Sequence, residues 1–582
     1  MEPKYYSDER SVQIIISLLK ANGIKKVVAS PGTTNLTFLG SIQQDEWFEI
    51  YSSVDERSAA YIACGLSAET GEPVVLTCTG ATASRNYYSG LTEAYYRKLP
   101  ILAVTSFQGI DRLGHLIPQN VDRRNLPFDI ITLSVDIPFV TNDREEHFAT
   151  IEANKAILEL RRNGGGPVHI NLTTHYSRNF NIRQLPPTRV IRRYVSGDKL
   201  PTLENKKIAV FVGSHSKFTI EQTDAIEKFC STYDAVVLCD HTSGYYGKYR
   251  AQMPLAFSQA QYGSPNRHVD LCIHIGEISG SEGLEPFCRE VWRVSEDGEL
   301  RDTFKKLTNV FQMREKDFFN AYAPDAGDKD NFISACRDDY NKVYNAIPEL
   351  PFSNIWVAKH LSGLIPSPSV LHFGILNSLR SWNFFMLPEG VETNCNVGGF
   401  GIDGDISSLI GASLAHPDKL YFIALGDLAF FYDLNVLGNR HLGNNVRILM
   451  INNGCGSEFK LFSHPCYAFG DEANNYMAAA GHFGKKSPHL VKHYSEDLGF
   501  EYLSAANKNE LIEATKKFVD PTIKTPMLLE VFTNHEDESN ALKMLKNSFV
   551  DSTTVTKNKV AKVLKAVGGD SLINVARSVL GK

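Results

Sequence analysis

The chain alternates between short apolar runs and amphipathic stretches, as strands and helices in turn would require. Residues 8–23 carry apolar side chains at helical spacing, and the run 26–29 is a short apolar strand. Further apolar strands at 73–78 and at 100–105 continue this alternation of strands and helices, and it resumes after a polar, proline-bearing stretch at 186–189. Strands that alternate with helices predict an α/β fold with doubly wound parallel sheets.

Length and linker-like segments predict three such domains. A chain of 582 residues exceeds what a single hydrophobic core supports. We predict a first α/β domain at 1–186, a central α/β domain with a charged helical connector at 187–350, and a third α/β domain at 351–547. Residues 548–582 are predicted to be a basic amphipathic tail with two apolar helical faces separated by Gly568 and Gly569, which predicts a docking pair of helices rather than a membrane anchor.

Composition narrows the class of protein. Apolar residues make up 43% and charged residues 22% of the chain, as in ordinary soluble proteins. The net charge of -6 gives no reason to expect a nucleic-acid partner. No apolar run reaches membrane-spanning length and no signal peptide is visible, so we expect a cytoplasmic protein without stable membrane insertion. The ten cysteines are scattered, which predicts reduced thiols.

The most informative stretch runs from residue 420 to residue 456. Two apolar strands, 420–425 and 446–451, flank a helix, so we expect parallel neighbours whose carboxyl ends lie side by side. Asp427 follows the first strand and Asn453 follows the second. A carboxylate, an amide oxygen and a backbone carbonyl suit Mg²⁺, which usually keeps a phosphate as a further ligand. Taken singly, each motif would be a helix cap or a turn.

Turns of the first domain follow strands in the same way. The turn 30–35 follows the strand 26–29, and Asp55 and Glu56 stand just before a helix that we predict at Ala59–Thr70. Acidic residues at a helix start usually compensate the helix dipole, and the alternative is that Glu56 is a catalytic acid. The small residues at 79–82 would let a ligand approach the backbone closely.

These motifs resemble those of thiamine-diphosphate (ThDP) enzymes. Gly426, Asp427 and Leu428, followed some two dozen residues later by Asn452 and Asn453, are similar to the ThDP–magnesium motif, although that family usually has Gly in place of Leu428. The turns of the first domain resemble the pyrimidine-binding domain. The likeness is closest to the menaquinone-pathway 2-succinyl-5-enolpyruvyl-6-hydroxy-3-cyclohexene-1-carboxylate (SEPHCHC) synthase branch. It implies pyrimidine-binding, central and diphosphate-binding domains in that order.

The resemblance implies ThDP and Mg²⁺ as cofactors. Glu56 would hydrogen-bond the aminopyrimidine ring, and Ile402 would hold the cofactor in its bent conformer. Asp427, Asn453 and the carbonyl of Cys455 would ligate the metal. Other residues implied in cofactor binding are Thr79, Gly80, Gly426, Leu428 and Gly456. In relatives the Glu56 and Asp427 positions meet across a dimer interface, so the resemblance also implies a homodimer or homotetramer.

The expected substrate residues depart from the synthase branch, whose arginines grip two carboxylate-rich substrates. Carried over position by position, three of those arginines fall at Thr34, Trp382 and Val397. Glu458 stands where the branch has an apolar residue, and it would repel carboxylates. Trp382 and Phe459 would stack on a substrate ring, or would simply pack in the core. The other residues assigned to the substrate are Asn35, Arg112, Gln119 and Ser378.

The lost arginines lead to the functional prediction. Each lost bidentate pair costs roughly 1.5–3 kcal/mol. We therefore predict ThDP- and Mg-dependent decarboxylation of a 2-oxo acid, with transfer of the acyl anion to a less anionic carbonyl or enone acceptor, or simple decarboxylation. Such an enzyme is a transferase or a lyase.

Two alternatives stay open. The first is SEPHCHC synthase activity on isochorismate and 2-oxoglutarate, with the substrate carboxylates bound by Arg85, Arg112 or Arg380. The second is a non-catalytic ThDP-fold scaffold protein that docks through its basic tail.

Overall fold

The computed structural model describes residues 4–483 and 486–551, and it confirms the predicted α/β fold with parallel sheets. The chain divides into two compact units. The first contains the residues up to 198 together with 297–312, and the second contains 199–296 and the residues from 313 on. The three domain boundaries predicted from the sequence stay a prediction. The predicted tail lies outside the described residues from position 552 on.

The strands of the described residues are numbered in chain order. They are β1 (Lys26–Ala29), β2 (Glu49–Ser52), β3 (Val74–Cys78), β4 (Ile101–Phe107), β5 (Leu133–Ile137), β6 (Val168–Thr173), β7 (Arg192–Val195), β8 (Ile208–Val212), β9 (Val236–Leu238), β10 (Arg250–Ala251), β11 (His268–Ile275), β12 (Phe287–Ser295), β13 (Leu307–Gln312), β14 (Ser369–Phe373), β15 (Val391–Cys395), β16 (Leu420–Gly426), β17 (Val446–Asn452), β18 (Glu501–Ala505) and β19 (Met527–Phe532).

The α-helices are numbered likewise. They are α1 (Arg10–Ala21), α2 (Leu36–Ile42), α3 (Glu56–Thr70), α4 (Thr82–Asn86), α5 (Tyr88–Tyr96), α6 (Asp143–Glu159), α7 (Ile220–Tyr233), α8 (Pro254–Phe257), α9 (Glu315–Tyr322), α10 (Asn331–Asn345), α11 (Asn354–Leu361), α12 (Asn377–Trp382), α13 (Asp405–Ala415), α14 (Asp427–Asp433), α15 (Ala473–Tyr476), α16 (Leu490–Asp497), α17 (Lys508–Phe518) and α18 (His535–Lys546). Short 3₁₀ turns occur at Ile110–Arg112, Arg162–Gly164, Pro265–Arg267, Leu434–Gly438, Ser457–Lys460 and Pro465–Glu472.

The first unit contains a six-stranded parallel sheet in the order β2-β1-β3-β4-β6-β5, and the parallel pair β7 and β13. Alternate residues of its strands enter two different cores, as the period of two along a strand requires. Val27 and Val75 pack with α1 and α6, whereas Val28 and Leu76 pack with α3 and α5. Helices therefore cover both faces of the sheet, and the doubly wound arrangement is confirmed.

Helices α3 and α5 pack at unusually short range. A Cβ atom placed on Gly90 of α5 would lie 2.4 Å from the Cβ of Ala60 in α3, a separation that real side chains do not adopt. Gly90 is therefore required by the close approach of the two helices. The observed α3 also begins at Glu56, three residues before the predicted helix start at Ala59.

The second unit contains two parallel sheets. One has the order β10-β9-β8-β11-β12, and the other has the order β15-β14-β16-β17-β19-β18. Strands β16 and β17 are parallel neighbours, with Gly426 opposite Ile451, as predicted. Apolar residues of α13 and α14, including Leu409 and Phe430, form a core with this last sheet. The predicted helical connector contains two separate helices, α9 and α10.

No helix within residues 4–483 and 486–551 combines the length and the apolar character that a membrane crossing requires.

Candidate active site

A hydrogen bond joins the two motifs at the ends of β16 and β17. Asp427 is the first residue of α14, and its Oδ2 atom accepts the backbone N–H of Gly454 at 2.8 Å. Its Oδ1 atom accepts the backbone N–H of Leu428 at 2.9 Å. The structure therefore brings Asp427 to the turn that contains Asn453, because the two strands end side by side.

The surroundings of Asp427 fit a cation. The side chain is buried, and burial raises the pKa of its carboxyl to about 7. A bound divalent ion would offset this penalty on the charged form. The amide oxygen of Asn453 is the second oxygen donor of the turn, and it accepts the backbone N–H of Cys455 at a long 3.4 Å. Carboxylate, amide and carbonyl oxygens form the hard donor set that Mg²⁺ requires.

The turn after Asn453 is fixed from two directions. The backbone N–H of Gly456 donates to the carbonyl oxygen of Ala478 at 2.6 Å, so the segment that contains Ala478 is hydrogen-bonded to the turn. A Cβ atom on Gly456 would lie 3.0 Å from the ring of Phe459 and 3.3 Å from Leu428. Two other predicted site residues, Leu428 and Phe459, therefore lie next to Gly456.

The glycine-rich stretch 396–404 leads into α13 in the same unit. Ile402 packs partly against the core, and a Cβ atom on Gly398 or Gly399 would meet no neighbour within 4 Å. Asp405, the first residue of α13, is buried, and burial together with the neighbouring Asp433 raises its pKa to about 7. The backbone of this stretch is open to a ligand at its glycines.

Glu56 lies in the first unit, at the first position of α3. The preceding Asp55 caps this helix by accepting the backbone N–H of Arg57, so dipole compensation does not depend on Glu56. Within the described part of the chain, the carboxylate of Glu56 makes no hydrogen bond and no ion pair. The half-buried carboxylate is near Tyr87 and Cys78, and it remains available to a ligand.

The turn of Thr79 and Gly80 is packed against neighbouring strand ends. The hydroxyl of Thr34 is hydrogen-bonded to the hydroxyls of Thr79 and Ser106, and it accepts the backbone N–H of Gly80 at 3.1 Å. A Cβ atom on Gly80 would lie 2.8 Å from the carbonyl oxygen of Ser106, so no larger residue fits without movement. Thr34, where the sequence comparison expects an arginine, is thus a structural residue of this turn.

The predicted substrate residues of the first unit have different exposures. Asn35 is buried, its amide nitrogen donates to the carbonyl of Ser30, and its Oδ1 atom has no partner among the described residues. Arg112 and Gln119 are exposed, and Arg112 donates to the side chain of Gln108. Arg85, one of the alternative arginines, is also exposed.

Arg123 is a residue that the sequence analysis missed. It is buried, and it donates to the hydroxyl of Thr105, the carbonyl of Ser106 and the side chain of Asn171. These bonds fix the loop that contains Gln119 to the ends of β4 and β6. The sequence 122–124 reads Asp-Arg-Arg, a charged cluster of the kind that normally faces solvent, so no local signal marks Arg123 as buried.

Trp382 lies in the core of the second unit. Its exposed fraction is 1%, and its ring centroid lies 5.6 Å from that of Phe373. The backbone carbonyl of Trp382 also contacts the ring nitrogen of the buried His241 at 3.1 Å. These contacts favour the core-packing alternative over stacking on a substrate ring. Ser378, on the same helix, is buried as well.

Glu458 is paired with a cation. Its carboxylate lies 2.5 Å from the guanidinium of Arg380, and both side chains are partly buried. The predicted repulsion of substrate carboxylates by Glu458 is therefore reduced by its counter-ion. The ring of Phe459, the next residue, lies nearly perpendicular to the ring of His464, with the centroids 5.3 Å apart.

Among the residues that the structure describes, no cluster of three or more His, Cys, Asp or Glu side chains could hold a metal ion. The metal site predicted here would use one carboxylate, one side-chain amide and one backbone carbonyl. Such a site contains only one of those four kinds of side chain, so it would not form a cluster of this kind.

Comparison with known proteins gives the family. Residues 10–126 match the family described as thiamine pyrophosphate enzyme, N-terminal TPP binding domain. A 2-succinyl-5-enolpyruvyl-6-hydroxy-3-cyclohexene-1-carboxylate synthase of Phocaeicola vulgatus is 31% identical over 557 residues, which cover 92% of this chain and 98% of the relative. Synthases of the same name from Bacteroides fragilis and Christiangramia forsetii are 30% identical over 557 residues and 28% identical over 587 residues, respectively. Those alignments cover 92% and 91% of this chain, and 98% and 96% of the relatives.

These relatives contradict the predicted decarboxylase or carboligase with a less anionic acceptor. They share the synthase name across nearly the whole chain, so that prediction is wrong and the synthase alternative fits better. The error arose from reading three missing arginines as the loss of carboxylate binding. Arg380, which the synthase alternative names, is a cation on the same helix two positions before Trp382.

Proposed function

This chain belongs to the family of thiamine-diphosphate enzymes that contains the SEPHCHC synthases, and on that premise we propose that it decarboxylates 2-oxoglutarate and adds the remaining four-carbon unit to isochorismate. It is accordingly an enzyme, and the scaffold alternative is set aside. The products of the proposed reaction are carbon dioxide and SEPHCHC.

The observation that supports this proposal most directly is the hydrogen bond between Asp427 and Gly454. This bond supports the proposal because it joins the two halves of the expected ThDP–magnesium motif, and because the buried carboxylate of Asp427 suits a cation. We propose that Mg²⁺ is held by the side-chain oxygens of Asp427 and Asn453 and by the carbonyl of Cys455. The other predicted residues beside the cofactor on this unit are Ile402, Gly426, Leu428 and Gly456.

Bound ThDP supplies the carbon nucleophile and the electron sink for decarboxylation. Glu56 is proposed to exchange a proton with the ring nitrogen of the aminopyrimidine, because its carboxylate has no competing partner among the described residues. Thr79 and Gly80 are proposed to line the pyrimidine site, because they form the turn that directly follows β3.

We propose that the active enzyme is a homodimer or a larger assembly of dimers. Apolar side chains near Glu56 are exposed: Val54 by 79%, Tyr61 by 48% and Ile62 by 46%. An exposed apolar patch of this kind on a folded domain usually marks an interface. A second copy would cover it and would exclude water from the carboxylate of Glu56.

The test combines purified enzyme, ThDP, Mg²⁺, isochorismate and 2-oxoglutarate, and it measures SEPHCHC by mass spectrometry and carbon dioxide release in parallel. We expect product from the wild type and none from Glu56→Gln. Glu69→Gln, on an exposed position of the same helix, is the matched control and should keep full activity. Absence of product from wild-type enzyme that demonstrably binds ThDP would refute the proposal.

A further inference from the structure

The second unit contains a cavity of about 690 Å³ between the carboxyl ends of β8 and β9 and the edge strand β15. Its wall is formed by the loops after β8 and β9, by residues of β14, β15 and β16, and by the end of α13. Asp427, Asn453 and Cys455 do not line it, so it is separate from the proposed metal turn. A cavity of this volume is large enough for a small molecule.

Two buried polar side chains lie in the wall of this cavity. His372 of β14 and Tyr421 of β16 have exposed fractions of 4% and 3%. Val370 is opposite Tyr421 in the register of the sheet and two residues before His372, so both side chains lie on the same face. The ring nitrogens of His372 and the hydroxyl of Tyr421 have no hydrogen-bond partner among the described residues. Unlike the enclosed Nδ1 atom of His241, these atoms keep accessible surface, and buried polar groups normally have a partner.

The polar groups of the wall combine donors and acceptors without charge. Burial lowers the pKa of His372 to about 4, so at neutral pH its ring offers one N–H donor and one acceptor nitrogen. The hydroxyls of Tyr421 and Ser214, which has no partner among the described residues either, can both donate and accept. Asn394, opposite His372 on β15, uses its Oδ1 atom to accept the backbone N–H of Cys395 at 2.8 Å, which leaves its amide nitrogen as a donor. Such a wall matches hydroxyl groups, which are donors and acceptors at once.

The charged groups near the cavity are already paired. Lys217 in the wall lies 2.6 Å from a carboxylate oxygen of Glu392, and Lys419 lies 3.2 Å from the other oxygen. The Nε2 atom of His215 lies 3.3 Å from the carboxylate of Glu315. An uncharged ligand leaves these pairs intact, whereas an ionic ligand would have to compete with them.

Tyr246 adds an apolar surface to the wall. Its hydroxyl accepts the backbone N–H of Thr393 at 2.8 Å, which fixes the ring, and 39% of the side chain is exposed. The carbon-bound hydrogens of a sugar can pack on an aromatic ring while its hydroxyls bind the polar groups. We propose that this cavity binds a small uncharged polyhydroxylated molecule, a sugar or a polyol, through His372 and Tyr421.

Ligand-observed NMR on the full-length protein tests this binding without any turnover, so the result does not depend on the proposed function. The probes are D-glucose, D-ribose, myo-inositol and trehalose, each titrated by saturation-transfer difference. We expect at least one of them to bind the wild type. D-glucose 6-phosphate should bind no better than D-glucose, because the lysine in the wall is already paired.

Three variants locate the binding. Tyr421→Phe, which removes one oxygen atom, and His372→Phe should each weaken the affinity for the bound probe by about 3- to 10-fold, because a neutral hydrogen bond is lost. Ala415→Trp, at an exposed position in the wall, should abolish binding by filling the cavity. Tyr476→Phe, at a position 96% exposed in the same unit, is the matched control and should keep the wild-type affinity.

Three results would overturn the inference. The first is that none of the four probes binds the wild type at concentrations well above millimolar. The second is that the wild type, Tyr421→Phe, His372→Phe and Ala415→Trp all bind with equal affinity, because the probe would then bind elsewhere. The third is that D-glucose 6-phosphate binds and the uncharged probes do not.

Discussion

The carboxylate of Asp427 accepts the backbone N–H of Gly454 at 2.8 Å, so two motifs separated by 27 positions share one edge of a parallel sheet. Strand β16 ends at Gly426 and β17 ends at Asn452, and the two strands are direct neighbours. The proposed metal ligands therefore lie at one edge of a single sheet rather than on two independent loops.

Replacing Asp427 with Asn should weaken cofactor binding strongly. The change removes the one charged oxygen donor of the proposed metal site and keeps the shape of the side chain. We expect the affinity for ThDP in the presence of Mg²⁺ to fall by at least about 100-fold, because residues that merely support metal ligands already contribute 10- to 100-fold. Fluorescence or calorimetric titration measures this affinity. Asp418→Asn, at an exposed position, is the control. An unchanged affinity in Asp427→Asn would show that Asp427 is not a metal ligand.

Glu538 should make the stability of the protein depend on pH. Its side chain is buried, and burial raises its pKa from 4.5 to about 7. Between these values the folded state retains a proton that the unfolded state has released, so the free energy of unfolding falls as the pH rises through this window. The total loss is roughly 3 kcal/mol, at about 1.4 kcal/mol per pH unit.

Urea unfolding of the wild type and Glu538→Gln at several pH values isolates this effect. The stability of the wild type relative to the variant should decrease from pH 4.5 to pH 7 and then stay level. The free energy of unfolding of Glu536→Gln, a change at an exposed position of the same helix, should vary with pH as that of the wild type does. A constant difference between the wild type and Glu538→Gln would show that Glu538 has an ordinary pKa.

The exposed patch near Glu56 should be required for assembly. Ile62→Asp places a charge in it and should convert the dimer to a monomer with little activity, because the proposed site is completed only across the interface. Light scattering after size-exclusion chromatography measures the mass. Ile220→Asp, at a position 82% exposed in the second unit, should leave the mass unchanged. A fully dimeric Ile62→Asp protein would place the interface elsewhere.

Gly90→Ala should destabilise the first unit although alanine favours helices over glycine by about 1 kcal/mol. The added methyl group would overlap with Ala60, and overpacking of this kind costs about 1–3 kcal/mol. Urea unfolding measures the change, and Ser89→Ala, at an exposed position of the same helix, should stay within about 0.5 kcal/mol of the wild type. Equal stability in the two variants would mean that the helices can separate at little cost.

Trp382→Ala should lower the free energy of unfolding by about 3–5 kcal/mol, because it removes a fully buried aromatic side chain. Met386→Ala, at a neighbouring position that is 43% exposed, should change it far less. Denaturation at a fixed pH gives both values. If Trp382→Ala instead kept its stability and changed only a KM, the side chain would be a pocket residue.

Several features of the site could be predicted from the sequence because they depend only on which residues directly follow a strand. Asp427 and the turn at Asn453 each follow an apolar strand directly, and the carboxyl ends of neighbouring parallel strands must meet. Glu56 was expected just before a helix, and the observed helix begins at Glu56 itself, three residues earlier than predicted.

Other features depend on contacts between distant residues, and the sequence contains no local sign of them. Arg380 and Glu458 are 78 positions apart, so their pairing was not visible when Glu458 was judged by its charge alone. Trp382 ends a six-residue helix, which is too short for a periodic pattern to show which side faces the core. Arg123 makes its hydrogen bonds to residues of two strands, β4 and β6, that the sequence analysis did not connect with it.

The contact between Gly90 and Ala60 has a mechanical consequence for Glu56. Ala60 lies one helical turn after Glu56, and the backbone of α5 lies directly against it with no compressible side chain between them. We therefore expect the two helices to move together. A shift of α5 would displace Ala60 and, with it, the first turn of α3, so the position of the Glu56 carboxylate depends on a pair of helices rather than on the end of one.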